Sequence, residues 1–195
     1  MSLKPQRRKW LSAITRIGIS RPGGVTFVVL STIEDVAFLR EVNHSWTTWA
    51  ADNDQPDPLF NWISVFKFNA GPKTLAFTLS GFAAAEALMV AKVGHVVRCD
   101  AGHRQPLVYV DFLEVAPWNR QHVPSRLPAL GPILLRLACD LSVQRGYRGR
   151  LGLHSVADAE DFYRRLGFRS LDCPSEYNEL YFELDESGAK ALLSD

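Results

Sequence analysis

Two acidic residues stand in the most apolar stretch of the chain, PLVYVDFLEVAP at residues 106–117. Asp111 and Glu114 are flanked there by aliphatic and aromatic residues, a pattern typical of a buried strand. A buried carboxylate costs free energy unless it is paired or takes part in chemistry. Each residue therefore has two interpretations, a proton acceptor in catalysis or the partner of an arginine. Because strand side chains alternate, the two are expected on opposite faces.

A second stretch, RLPALGPILL at residues 126–135, could bind an anion. The first backbone N–H groups of a helix lack intrahelical partners, and the helix dipole favours negative charge there. Ala129 and Gly131 allow a ligand to approach the backbone closely, and Pro132 suits the first helical position. Arg126 would add a full positive charge.

The N–H groups predicted to face a phosphate are those of Leu130, Gly131 and Ile133. The alternative interpretation is that proline and glycine simply begin a helix after a loop. The position between a buried strand and a crossover helix favours ligand binding, because open α/β sheets bind ligands there.

Composition limits the class of protein. The chain has 195 residues, 47% hydrophobic and 22% charged, with a net charge of +1, which predicts a packed domain with no overall attraction to nucleic acid or membrane. Three widely spaced cysteines without a C-x-x-C motif argue against a disulfide framework or structural zinc and favour the cytoplasm. We therefore expect a cytoplasmic protein with no metal, no membrane span and no nucleic-acid partner.

The pattern of the chain predicts its domains. Residues 1–22 form a basic appendage whose apolar residues have helical spacing as far as Ile17, and RPGG at 21–24 interrupts it. Residues 23–195 are predicted to form one domain. The appendage is expected to pack on that domain or on a partner subunit, as in a homodimer.

Within residues 23–195, strands alternate with helices. Helices are predicted at 31–46, with Ser31 and Glu34 as a capping box, after Gly131, and at 155–168, where Ser155 would cap. Periodicity does not decide between helix and strand at 59–68. The expected strands are at 25–30, 74–79, 85–93, 106–117, 149–155 and 179–184. This order predicts an α/β sandwich with a mixed sheet, in which the strands at 106–117 and 149–155 are parallel neighbours.

Three motifs together resemble the GNAT acyltransferases, the acetyl-CoA-dependent N-acetyltransferases. They are the strand end LEVAP at 113–117, the loop RLPALG at 126–131, and the pattern A-x-x-F-Y-x-x-x-G-F at 159–168. The resemblance covers about residues 107–170. It implies a three-layer α-β-α sandwich around a central mixed, partly splayed β-sheet. Two departures are the alanine at position 129, where the family loop has a glycine, and Val156, where the family often has an asparagine.

The resemblance also implies where acetyl-CoA would bind. Its pyrophosphate would lie on the N–H groups after Arg126, and its pantetheine arm would pair with the strand backbone where the two parallel strands splay. The cofactor-binding residues expected on this basis are Leu113, Val115, Arg126, Ala129, Leu130, Gly131, Pro132 and Ile133.

For the chemistry, the resemblance implies three roles. An N–H near Val115 would stabilise the tetrahedral oxyanion, and Tyr163 would protonate the leaving thiolate. The base would be Glu114 or Asp111, with Glu114 favoured because it lies beside the expected splay. The implied activity moves an acetyl group from acetyl-CoA to a primary amine of a small molecule or protein, by direct attack through a tetrahedral intermediate. The alternative is a non-catalytic acyl-CoA sensor. The amine acceptor is not identified.

Overall fold

The protein has a mixed α/β fold in the computed structural model, which describes residues 17–21, 24–33, 36–54, 59–81, 84–96, 105–120, 127–171 and 179–194. The strands are β1 (Ile17–Arg21), β2 (Gly24–Thr32), β3 (Thr74–Gly81), β4 (Ala84–Val96), β5 (Pro106–Val115), β6 (Leu151–Ser155), β7 (Arg169–Leu171) and β8 (Leu180–Leu184). The helices are α1 (Val36–Asp52), α2 (Trp62–Asn69), α3 (Leu130–Gln144), α4 (Glu160–Arg165) and α5 (Glu186–Ser194). Short 3₁₀ turns follow β5 and precede α4.

The described chain divides into two compact units, and β4 and β5 contribute residues to both. The described residues of the first unit lie between positions 17 and 70, 76 and 89, and 113 and 131. Its strands are hydrogen-bonded in the order β1-β2-β3-β4-β5. Helix α1 buries an apolar stripe at helical spacing, and the indole Nε1 of its Trp46 donates to the Ala85 carbonyl at 3.2 Å. This bond holds α1 on β4.

The second unit takes its residues from 71–75, 90–112 and 132–195, with strands in the order β4-β5-β6-β8-β7. Strands β5 and β6 are parallel, as a crossover through a helix requires, whereas β8 runs antiparallel to both β6 and β7. The predicted α/β fold with a mixed sheet and a parallel β5–β6 pair is therefore confirmed.

The parallel ladder between β5 and β6 is short. It pairs Val108 with Leu151 and ends where Val110 pairs with Leu153. Strand β5 nevertheless continues to Val115 and β6 to Ser155, and no further pair joins them among these described residues. The sheet is thus partly splayed, as predicted.

The turn from α3 into β6 has an unusual backbone. Gly146, Arg148 and Gly149 have φ values of 77°, 58° and 83°, and the Gly146 N–H donates to the Val143 carbonyl at 2.9 Å. Residues in the left-handed conformation commonly end a helix in this way. The turn brings the chain directly back into β6.

Several local predictions were wrong. Ile17, expected in a helical pattern, begins strand β1, and residues 1–16 lie outside the described part. Ser31 lies in β2 rather than at a helix start, since α1 begins at Val36. Ser155 makes no capping bond, because its hydroxyl donates to the Val156 carbonyl.

Within the described residues, no helix combines the length and the apolar character needed to cross a membrane.

Candidate functional site

The end of β5 exposes one edge of its backbone. The Ala116 N–H donates to the Glu86 carbonyl of β4 at 2.9 Å. Because N–H groups alternate between the two edges of a strand, those of Val115 and Leu113 point away from β4. This is the edge predicted to carry the oxyanion donor and the pantetheine contacts.

Glu114 is held by α2 and by the segment after β5. Its Oε2 accepts from the Trp62 indole at 2.7 Å, and its Oε1 lies 2.7 Å from the Arg120 guanidinium. The start of α2 is fixed in turn, because Asn61 caps it and the Trp62 N–H donates to the Asn43 side chain on α1 at 3.0 Å. The orientation of the carboxylate is therefore set from both sides.

Burial dominates the acidity of Glu114, whose exposed fraction is 7%. Loss of hydration raises its pKa from 4.5 to about 7, while the bonds from Trp62 and the Phe60 backbone and the charge of Arg120 act in the opposite direction. Of the two interpretations of this residue, the structure shows the pairing with an arginine. Its role as a proton acceptor stays a prediction.

Asp111, the other carboxylate of β5, is neutralised by a lysine. The Lys92 ammonium lies 2.7 Å from its Oδ2, and both side chains are partly exposed. An ionised carboxylate paired in this way is a common structural feature and needs no catalytic explanation.

Sequence reasoning missed a third carboxylate, Glu86 of β4. It is completely buried, and its Oε2 accepts from both Trp118 and Asn119 at 2.7 Å. The Trp118 ring also packs edge-on against Trp46. The argument that singled out Asp111 and Glu114, an acid within an apolar strand, applies equally to AAEALMV and would have found it.

The loop that precedes α3 has a left-handed residue at its centre. Ala129 has a φ of 63° and is exposed, whereas Leu130 and Gly131, which begin the helix, are buried. Pro132 and Ile133 are half-buried. Arg126 lies outside the described residues, so its predicted role is a proposal.

Comparisons with solved structures place this arrangement in a known fold. The N-acyl amino acid synthase FeeM from uncultured soil microbes has a TM-score of 0.58 at 13% identity, covering 85% of this chain and 93% of FeeM. An AtaT mutant toxin bound to acetyl-CoA and to the C-terminus of the antitoxin AtaR has a TM-score of 0.54 at 12% identity. The match covers 86% of this chain and 99% of the toxin chain. An acetyltransferase from Thermus thermophilus has a TM-score of 0.52 at 16% identity. The match covers 80% of this chain and 96% of the acetyltransferase.

The chain has the GNAT acetyltransferase fold. No family model matches the sequence, and no curated protein matches it. The likeness to the GNAT structures is therefore one of fold.

The GNAT motif explains the conformation of Ala129. The family loop has a glycine at this position, and a positive φ is the conformation that glycine adopts without steric cost. Here an alanine adopts it, at a cost of about 1–2 kcal/mol. The small side chain of Ala129 is exposed.

We predict that Ala129→Gly stabilises the protein. Relief of the left-handed strain, about 1–2 kcal/mol, exceeds the extra chain entropy of glycine, about 0.5–1 kcal/mol, so the net gain is about 0.5–1 kcal/mol. Thermal unfolding should show a rise in Tm of about 2–4 °C per kcal/mol. Ala191→Gly, at an exposed position within α5, is the control and should lower Tm. A decrease of Tm in both variants would contradict the assignment.

Tyr163 lies in α4 and is the tyrosine of the pattern A-x-x-F-Y-x-x-x-G-F at 159–168. It is buried, with its ring 5.6 Å from that of Phe168 and 6.0 Å from that of Phe182. Burial raises the pKa of the phenol, which keeps the hydroxyl protonated. Its predicted role as an acid stays a prediction.

No group of three or more metal-ligating side chains occurs in the ranges that the structure describes. The expectation that no metal takes part stays a prediction.

Proposed function

We propose that the protein is an acyl-CoA-dependent N-acyltransferase that transfers an acetyl group from acetyl-CoA to a primary amine. The observation that carries the proposal is the end of the β5–β6 ladder at Val110, followed by the strand edge at Leu113 and Val115. A free strand edge suits the amides of a pantetheine arm, which pair with it as an added strand does.

The residues before and within α3 fit the phosphates of the same ligand. The exposed, left-handed Ala129 precedes the first N–H groups of a helix of 15 residues, which have no partners within the helix. Backbone donors and the helix dipole together favour a diphosphate there. Arg126, in the same loop, would add its charge. Acetyl-CoA would supply the thioester; the chain's own residues would bind and orient it.

The proposed chemistry uses Glu114 and Val115. The carboxylate of Glu114 would take the proton from the attacking amine, for which a pKa of about 7 is suitable. The amine nitrogen would attack the carbonyl carbon of the thioester, forming the N–C bond and a tetrahedral oxyanion that the Val115 N–H would stabilise. Collapse of this intermediate would re-form the carbonyl, break the C–S bond and release the thiolate, which would receive its proton from Tyr163.

One observation favours a second candidate function, the binding of acyl-CoA without turnover. Both oxygens of Glu114 already accept hydrogen bonds from Trp62 and Arg120, and Asp111 is paired with Lys92. If these pairs were permanent, no carboxylate on β5 would be available to an amine, and the fold would act as a sensor.

A single series of measurements separates the two functions. We expect acetyl-CoA at about a hundred times its Kd to stabilise the protein by about 2.7 kcal/mol, which thermal unfolding detects. A panel of small amines and peptides, followed by a colorimetric thiol reagent, should show CoA release that depends on the amine.

A thermal shift without thiol release from any amine would favour the sensor. If acetyl-CoA and longer acyl-CoA analogues fail to bind, both candidates are wrong. Desulfo-CoA is the matched ligand control, because it should bind through the same pyrophosphate contacts without reacting.

A further inference from the structure

A chain of hydrogen bonds links strand β4 to the loop before α3. The Glu86 carboxylate accepts from the Asn119 side-chain amide at 2.7 Å, and the Asn119 Oδ1 accepts from the Leu127 N–H at 3.0 Å. Leu127 is itself buried, two residues before Ala129. We call Glu86, Asn119 and Leu127 the loop anchor.

The loop anchor has a high cost in free energy, which argues against an incidental contact. Glu86 is 0% exposed, and its Oε1 has no hydrogen-bond partner among the residues that the structure describes. Burying a carboxyl group with one oxygen unsatisfied is unfavourable, and such an arrangement persists where the group has a function. Both donors to its Oε2, Trp118 and Asn119, come from the turn directly after β5.

The left-handed conformation of Ala129 indicates what the function of the buried Glu86 would be. A non-glycine residue with positive φ persists when its surroundings leave the backbone no alternative path. Asn119 fixes the chain just before Ala129, and α3 fixes it just after. The anchor therefore constrains the path of the backbone directly before the first N–H groups of α3.

We propose that Glu86 and Asn119 are positioning residues for acyl-CoA: they fix Leu127 and thereby preorganise the loop that holds the pyrophosphate. The inference rests on the proposed function, since it concerns the same binding site. It assigns no contact with the ligand to either residue. Preorganisation of this kind lowers the entropy lost on binding and so affects affinity rather than the chemical step.

The direct test is Asn119→Ala, which removes both bonds of the anchor. Isothermal titration calorimetry with acetyl-CoA should show a Kd about tenfold higher than that of the wild type, equivalent to about 1.4 kcal/mol. In the thiol-release assay the KM for acetyl-CoA should rise by a similar factor, with kcat changed less than about threefold. A purely structural role would instead lower Tm and leave the affinity of the folded protein unchanged.

Asn119→Asp is the second variant, and it allows the proposal to be tested if the alanine variant does not fold. Its side chain can still accept from Leu127, but an oxygen replaces the amide that donates to Glu86, so two carboxylates face each other. We expect the same rise of Kd at pH 8. Adding Glu86→Gln should relieve this double-carboxylate contact, because the glutamine amide can donate to the carboxylate introduced at position 119.

Asn53→Ala is the matched control. Asn53 bonds the Trp49 carbonyl at the end of α1 and is not part of the anchor. Its Kd should equal that of the wild type. If wild type binds acetyl-CoA and the folded Asn119 variants bind it equally well, the anchor proposal is wrong and the proposed function stands. If wild type does not bind, the proposed function is wrong and the anchor proposal falls with it.

Discussion

Replacing Glu114 with glutamine is expected to lower kcat/KM for the amine by about a hundred- to ten-thousandfold, the range that a general base contributes. Glutamine keeps the size of the side chain and can still accept from Trp62 or Arg120 through its carbonyl oxygen, so the loss would come from proton transfer. The measurement is steady-state thiol release with the best amine of the panel, at saturating acetyl-CoA.

The pH dependence of kcat/KM in the wild type and in Glu114→Gln tests whether Glu114 acts as the base. Glu114 has its pKa raised to about 7, so below that pH the carboxyl group is protonated and cannot take a proton from the amine. The kcat/KM of the wild type should therefore fall as pH decreases through about 7. Deprotonation of the amine affects both proteins equally, so the ratio of wild type to Glu114→Gln isolates the carboxylate. That ratio should fall about tenfold per pH unit below about 6.

Two further variants make this result specific. Glu186→Gln changes an exposed glutamate of α5 in the same way and should leave kcat/KM unchanged. Asp111→Asn tests the competing candidate on β5. If Asp111→Asn abolished turnover and Glu114→Gln retained it, the base would be Asp111, and our assignment would be wrong.

The largest effect on stability is expected for Gly149→Ala, in the turn between α3 and β6. Two costs add: the left-handed φ of 83°, about 1–2 kcal/mol, and a clash, because the new Cβ would lie 2.6 Å from the Ala189 Cβ. The methyl group of the buried Ala189 has no rotamer that would move it away, so the overpacking adds about 1–3 kcal/mol. The two costs sum to about 2–5 kcal/mol. The lower chain entropy of alanine in the unfolded state offsets about 0.5–1 kcal/mol, so we expect a net loss of about 1–4.5 kcal/mol in the free energy of unfolding.

Gly146→Ala, in the same turn, is a close control. Its φ is 77°, but a Cβ there has nothing within 4 Å. Urea unfolding should give a loss of about 0.5–1 kcal/mol for this variant, the left-handed cost of about 1–2 kcal/mol less the ~0.5–1 kcal/mol by which alanine lowers the chain entropy of the unfolded state. Equal losses in the two variants would mean that α5 does not pack against the turn as described.

Much of the fold was predictable because its signals are local. The long apolar run at 106–117, the small residues before α3 and the motif ending in Gly167 and Phe168 each specify one element, and their order specifies the parallel β5–β6 pair. Gly167 has the positive φ expected of a helix stop. The failure at Ser31 has a cause that is not local: a capping sequence also fits a strand, and the pairing of Ser31 with the distant Thr78 of β3 decides for the strand.

The site was harder to predict, because its electrostatics depend on distant partners. Nothing in the sequence near Asp111 indicates Lys92, and nothing near Glu114 indicates the indole of Trp62, which is 52 positions away. Hydrophobic patterning shows that a carboxylate will be buried but not which group will satisfy it. The positive φ of Ala129 was equally hidden, since alanine rarely adopts it.

The ion pair between Glu114 and Arg120 also bears on how an acceptor would be selected. Opposite charges in contact cancel at distances greater than their separation, so the pair as a whole generates almost no long-range field. An incoming ammonium group would experience no electrostatic steering from this carboxylate. Selectivity at Glu114 would therefore arise from close fit and hydrogen bonding after encounter, and neutral or weakly basic amines would suffer no disadvantage there.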